Sequence, residues 1–309
     1  MVNSPRVKLL NADYARRLIQ SPGPRVVPVD ATWYMPNSPK NAKTQFAQED
    51  RIKNSTFFDL DSVCCRTSKY PHMLPPHRLF DKEVGKLGIK PDDLLLVYDR
   101  QGIFSAPRAA WTFALYGHHN VYLVDHYPQY KEKYPVETGP IRESSNEAKD
   151  ESAYNGIDNT EFGKNYREQV IEFDELADLV VSRNLDEYYV FDARSADRFH
   201  GKAPEPRKGL SSGHIPGALN LPFTKVLNES GQYKTKEELT ELFKNEFGLD
   251  WNQPLDRKGV IVMCGTGVTA VILRLAIEKV NSEVPIRVYD GSWTEWAQRA
   301  PDLISEGNL

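Results

Sequence analysis

The residue best suited to covalent chemistry is Cys264, in Gly259-Val260-Ile261-Val262-Met263-Cys264-Gly265-Thr266-Gly267-Val268-Thr269-Ala270. An apolar run ends at the cysteine, a glycine-rich turn follows, and helical composition begins at Val268. The thiol therefore stands at a strand–loop–helix junction. Main-chain N–H groups of such a turn, together with a helix N-terminus, favour negative charge, and both a thiolate and a persulfide are anions. Gly265 and Gly267 are expected to allow a tight, positive-φ turn that aims those amides. Thr266 places a hydroxyl beside the sulfur. A cysteine inside a strand would be a small hydrophobe and nothing more; the glycines directly after Cys264 set it apart.

A strand must deliver that cysteine, and the chain holds the strand series twice. Val26–Asp30, Leu94–Asp99 and Val121–Asp125 read as apolar strands ending in an acid, and Tyr188–Asp192, Gly259–Cys264 and Ile286–Asp290 repeat them. The offsets between their last residues are 192 − 30 = 162, 264 − 99 = 165 and 290 − 125 = 165, the signature of internal duplication. Strands this uniformly apolar, alternating with helical patterns, indicate an α/β fold with mainly parallel sheets covered on both faces. In the first half Asp99 occupies the place of Cys264. A carboxylate cannot carry sulfur, so that half is expected to be catalytically silent at its own loop. The polar stretch from Pro140 to Thr160 has linker composition, giving a silent domain over 1–140, a linker over 141–165 and a catalytic domain over 166–309. Within the second half, Phe173–Val180 shows helical spacing. Thr235 and Glu238 form a capping box for a helix running to Phe247, with Gly248 as its stop.

The 309 residues suit two domains. A net charge of −4 without a dense basic run disfavours direct nucleic-acid binding. The longest uncharged stretch, Gly259–Leu273, is shorter than the roughly 20 apolar residues of a membrane span, so no membrane association is expected. Three cysteines, without C-x-x-C spacing, are too few for a disulfide framework and fit a reducing compartment. Cytoplasm and mitochondrion both stay open, because Arg16 and Arg17 lie near the start and no apolar leader precedes them.

Cys264–Ala270 resembles the active loop of the 3-mercaptopyruvate sulfurtransferases, tandem rhodanese-domain enzymes with an inactive first domain, and of their fungal thiosulfate/3-mercaptopyruvate relatives. Further likeness lies in Phe57–Asp61, Tyr70–Pro75, Ser105–Arg108, Glu205-Pro206-Arg207, Ser212–Gly217 and Tyr289–Trp296. The resemblance implies two rhodanese-like domains, each a mainly parallel five-stranded sheet flanked by helices. It implies a Cys264 persulfide formed from 3-mercaptopyruvate with release of pyruvate. Arg198 and Arg207 match donor-binding arginines, as fits bidentate recognition of an α-keto acid, and Gly265, Gly267, Val268 and Thr269 match the loop that surrounds the sulfur. Asp61 and His72 match a proton-transfer pair completed by Thr266, which stands where relatives often carry Ser. The implied acceptors are cyanide or a thiol, such as thioredoxin or a sulfur-carrier protein feeding tRNA thiolation. No cofactor or metal is expected, since sulfur rides on cysteine itself. Thiosulfate-preferring relatives carry Arg-Lys after the cysteine; Gly265-Thr266 lacks those charges and resembles the mercaptopyruvate type.

Other residues have simpler expectations. His214, in Gly213–Gly217, is read as part of a structural turn, although its type would suit a base. His118 and His119 are expected to be helix-terminus cations, Trp293 and Trp296 packing residues, and Arg194 an ion-pair partner of Asp192. Cys64 and Cys65 are not expected to form a disulfide. His72, flanked by Pro71 and Pro75, is open to a plain loop role as well. Three rival functions are thiosulfate:cyanide sulfur transfer, a rhodanese-related cysteine phosphatase and a non-catalytic binding module. The phosphatase requires Cys-x5-Arg, and the sixth residue after Cys264 is Ala270.

Overall fold

The computed structural model describes residues 6–141 and 154–307. The chain divides into two compact units, Met1–Arg66 with Leu74–Asn165, and Thr67–Met73 with Tyr166–Leu309. Residues 142–153 of the expected linker lie outside the described residues. Two residues of the rest of that segment are buried against the first unit: Tyr154 is 2% exposed and bonds His118, and Asn165 donates to Leu115 O.

In chain order the strands are β1 (Lys8–Leu10), β2 (Val26–Asp30), β3 (Asp50–Arg51), β4 (Thr56–Phe57), β5 (Leu94–Tyr98), β6 (Val121–Val124), β7 (Glu137–Thr138), β8 (Val170–Ile171), β9 (Tyr188–Asp192), β10 (Leu219–Asn220), β11 (Gly259–Met263) and β12 (Ile286–Tyr289). The first unit holds a five-stranded sheet of order β1-β6-β5-β2-β4 and the second one of order β10-β9-β11-β12-β8. Every pairing in both is parallel. Read from opposite edges the two orders coincide, so the duplicated strand series folds into duplicated sheets. β3 and β7 add a small antiparallel pair.

The central strands β5 and β11 are buried at every position, which explains their unbroken apolar runs. On one face of β11, Ile261 and Met263 pack with Tyr289, Trp293 and Trp296. Near the neighbouring strand β9, Phe191 meets Phe243 and Trp251, which also meet each other. Phe243 is brought there by the helix Lys236–Phe247, which starts with the expected Thr235–Glu238 capping box and stops at Gly248, φ 68°. The sheet core thus fixes the end of β11, where Cys264 follows.

At the corresponding end of the first sheet, Asp30 lies opposite Tyr98. Its Oδ1 accepts from Thr32 N and Oγ1, and Arg100 Nε lies 3.6 Å from Oδ2. Burial pushes its carboxyl up to about 6 from an ordinary 3.8, against those favourable contacts. The folded state therefore keeps a proton that the unfolded chain has lost between those values, and this contribution to stability disappears as pH rises through the window. Relative to Asp30→Asn, the parent is expected to lose about 3 kcal/mol of stability between pH 3.5 and pH 7; urea unfolding of both proteins at several pH values measures it.

Candidate active site

Cys264 is the first residue past β11 and is 2% exposed. The helix that follows is Ala270–Val280, so helical structure begins two residues later than the composition suggests. Gly267, at φ 75°, turns the backbone in a conformation that an L side chain resists, and Val268 and Thr269 remain in the loop. Gly265 does not have a positive φ. Its smallness serves another purpose, because a Cβ there would stand 3.2 Å from Arg198 Nη2.

The first turn of the helix Ser292–Arg299 holds the backbone around the cysteine. Ser292 Oγ accepts from Cys264 N at 3.1 Å and donates to Tyr289 O at 2.8 Å. Trp293 N donates to Cys264 O at 3.0 Å, and Thr294 N donates to Gly265 O at 2.9 Å. These are helix-terminal amides that would otherwise lack acceptors. Gly291, just before this helix, leaves room for the Glu295 side chain, on which a Cβ there would fall. Sequence reasoning missed Ser292 and Thr294 as contributors to the loop. Among the described residues, the amides of Gly265, Thr266, Val268 and Thr269 have no hydrogen-bond acceptor.

His72 is 4% exposed, holds a left-handed φ of 63°, and belongs to the unit that contains Cys264. Its Nδ1 lies 3.0 Å from Thr266 Oγ1, so two of the expected relay residues meet beside the cysteine. Asp61 belongs to the first unit, where its carboxylate accepts the Trp33 indole N–H at 3.1 Å. Arg198 is gripped by Glu205, Nε to Oε1 at 3.1 Å, with its Nη2 facing Gly265. Arg207 is half-buried in the turn that follows Glu205.

A rhodanese-like domain model matches residues 172–299. The thiosulfate sulfurtransferase TUM1 of Saccharomyces cerevisiae is 41% identical over 288 residues, covering 91% of this chain and 92% of that protein. The chain belongs to the tandem rhodanese-domain sulfurtransferases. Human 3-mercaptopyruvate sulfurtransferase is 35% identical over 310 residues, covering 97% of this chain and 95% of the human protein. The crystal structure of the yeast Tum1 protein matches with a TM-score of 0.86 at 37% identity, covering 98% of this chain and 99% of that one.

In this sulfurtransferase the first-half loop is as informative as the cysteine loop. Asp99 follows β5 as Cys264 follows β11, and it is fully buried. Its Oδ1 accepts from Gln101 N at 2.9 Å, while Oδ2 accepts from Phe104 N, Ser105 N and Ala106 N at 3.0, 2.9 and 2.8 Å. Burial raises its carboxyl above the ordinary range, and the four amides pull it back. The first-half loop is thus an amide cradle around its own side-chain carboxyl. It is one residue longer than the second, since its helix begins at Ala106 and the other at Ala270.

The other residues of the sulfurtransferase resolve as follows. Arg194 makes the expected pair with Asp192 and also binds Glu205 and Gly213 O, stacked on Trp293. Trp293 and Trp296 are core residues that donate to Ser211 O and Leu303 O. His214 stacks on Phe199 and donates Nδ1–H to its carbonyl, the structural role expected. His118 departs from expectation. It is buried at 1% exposure between Asp93 O and Tyr154, and burial lowers its pKa, so it is not a helix-terminus cation. Cys64, Cys65 and Cys264 are not joined in disulfides. Arg274, the first basic residue after the loop, pairs with Glu278 and Ile286 O.

If the Asp99 carboxyl anchors its loop, Asp99→Ala should destabilise the protein by about 3 kcal/mol. Asp99→Asn, which can keep its oxygen on three amides, should cost about 1 kcal/mol. Chemical denaturation of the two variants beside the parent measures this, and equal costs would rule out the amide account.

Proposed function

We propose that this sulfurtransferase moves sulfur from 3-mercaptopyruvate to a thiol or to cyanide through a persulfide on Cys264, releasing pyruvate. The observation that carries this is the internal comparison of the two loops. In the first, amides converge on an oxygen two bonds beyond Cβ, through Cβ–Cγ–Oδ2 of Asp99. In a persulfide the outer sulfur is also two bonds beyond Cβ, through Cβ–Sγ–Sδ. The second loop offers amides without acceptors around a residue that reaches one bond less far. A second sulfur supplies the missing anionic atom.

The chemistry then follows from the residues present. The Cys264 thiolate attacks the donor sulfur, and the donor's carbon–sulfur bond breaks with its electron pair moving to carbon. The resulting pyruvate enolate takes up the proton that the donor thiol supplies, passed through Thr266 and His72; Asp61 keeps only the proton-transfer role that the resemblance gives it. Cys264 is left as an anionic persulfide surrounded by the loop of Gly265, Gly267, Val268 and Thr269 and held by the amides of Gly265, Thr266, Val268 and Thr269. Arg198 and Arg207 grip the carboxylate and keto oxygens of the donor; Glu205 fixes the plane of Arg198 while leaving one face toward Gly265. An acceptor thiol, of the kind found on thioredoxin or a sulfur-carrier protein for tRNA thiolation, attacks the outer sulfur and restores the Cys264 thiolate. Domains at 1–140 and 166–309, with the first one silent, and residence in cytoplasm, mitochondrion or both belong to the same reading.

Thiosulfate is the second reading for the donor, favoured by the name of the 41% identical yeast relative. Specificity constants with each donor separate the two. The uncharged Gly265-Thr266 pair predicts a preference for 3-mercaptopyruvate, and a tenfold preference for thiosulfate would reverse the assignment. Incubation with the donor, followed by intact-mass and peptide mapping, should show one added sulfur on Cys264 in the parent and none in Cys264→Ser. Sulfur on any other residue, or none in the parent, would overturn the proposal.

A further inference from the structure

The orientation of the cysteine loop is set from outside it. In a trans peptide the C=O of one residue and the N–H of the next point to opposite sides. Trp293 N fixes the Cys264 carbonyl toward the helix Ser292–Arg299, so the Gly265 N–H points away from that helix. Thr294 fixes the Gly265 carbonyl in the same direction with two donors, its amide at 2.9 Å and its hydroxyl at 2.8 Å. The Thr266 N–H is therefore aimed away from that helix as well. The same peptide unit carries Thr266, whose hydroxyl meets His72. Thr294 is 4% exposed, and its hydroxyl bonds Gly265 O, so it is neither a surface group nor a helix cap.

We propose, building on the Cys264 sulfur-transfer role, that Thr294 is a positioning residue for the reaction. Its hydroxyl locks the Gly265–Thr266 peptide so that the Thr266 N–H faces the outer sulfur and the Thr266 hydroxyl faces His72. Thr294 never touches donor or sulfur. Its effect belongs to the sulfur-transfer step, where charge develops on the outer sulfur, and not to the capture of the donor by the arginines. Removing the hydroxyl leaves the Thr294 amide on Gly265 O and frees the peptide to rock. The expected loss is about tenfold in the rate of the step, the size of one buried hydrogen bond made in the transition state.

The test uses the full chain and its Thr294→Val and Thr294→Ser variants. Valine keeps the branched shape and removes the hydroxyl; serine keeps the hydroxyl and removes a methyl group. Single-turnover sulfur uptake by Cys264 from 3-mercaptopyruvate is followed by quenched-flow mass spectrometry over a range of donor concentrations, beside thermal unfolding of each protein. Thr294→Val is expected to lower the saturating rate about tenfold while the half-saturating donor concentration changes less than twofold, and Thr294→Ser to stay within about threefold of the parent. A Thr294→Val rate equal to the parent's overturns the assignment, as does a loss expressed in donor half-saturation or a loss that serine does not restore. If the parent itself takes up no sulfur on Cys264, the fault lies with the persulfide reading and not with Thr294.

Discussion

The structure depends on backbone N–H groups held in a fixed direction at the end of a parallel strand. An amide dipole that is already aimed needs no reorganisation when charge arrives, and inside a protein it acts in a medium of lower dielectric than water. Aiming it requires that the carbonyl on the other side of the same peptide be tied down. Here the ties come from the first turn of the helix Ser292–Arg299, whose own terminal amides need acceptors and find them in Cys264 O and Gly265 O. One set of hydrogen bonds thus completes a helix terminus and orients a loop.

Duplication supplies the comparison that gives this arrangement meaning. Both sheets have the same strand order, and in both a loop leaves the central strand for a helix. In one, the side chain closes the circle of amides with its own carboxyl; in the other, among the described residues, the amides of Gly265, Thr266, Val268 and Thr269 have no acceptor. At the residue that follows the central strand, Asp99 in one loop stands against Cys264 in the other, and only the first has a side-chain carboxyl that its own loop amides bind. In the first-half loop the Asp99 carboxyl already occupies the amides of Gln101, Phe104, Ser105 and Ala106.

Much of this was legible in the sequence, for reasons that vary by element. β2, β5, β9 and β11 show as apolar runs because central strands are buried on both faces. The edge strands β4, β8 and β10 have two residues each, too short for any periodicity to register. Cys264, Thr266 and their glycines announce themselves because their chemistry is local. Ser292 and Thr294 do not, since they act on main-chain atoms 28 and 29 residues away. His118 was misjudged because the stop at Gly117 is visible in sequence, whereas burial against Asp93 O and Tyr154 is a tertiary fact. Gly265 lacks the positive φ expected of it, because what its smallness provides, clearance for Arg198, is a tertiary contact that local sequence does not show.

The central claim is that the outer sulfur of a Cys264 persulfide takes the place which the Asp99 carboxyl oxygen holds in the first-half loop. A crystal structure of the protein after reaction with its donor tests this most directly. The account predicts that superposing the two loops brings the outer sulfur onto Asp99 Oδ2, within hydrogen-bonding distance of the Thr266, Val268 and Thr269 amides. An outer sulfur turned away from those amides, or seated on side chains alone, would contradict it.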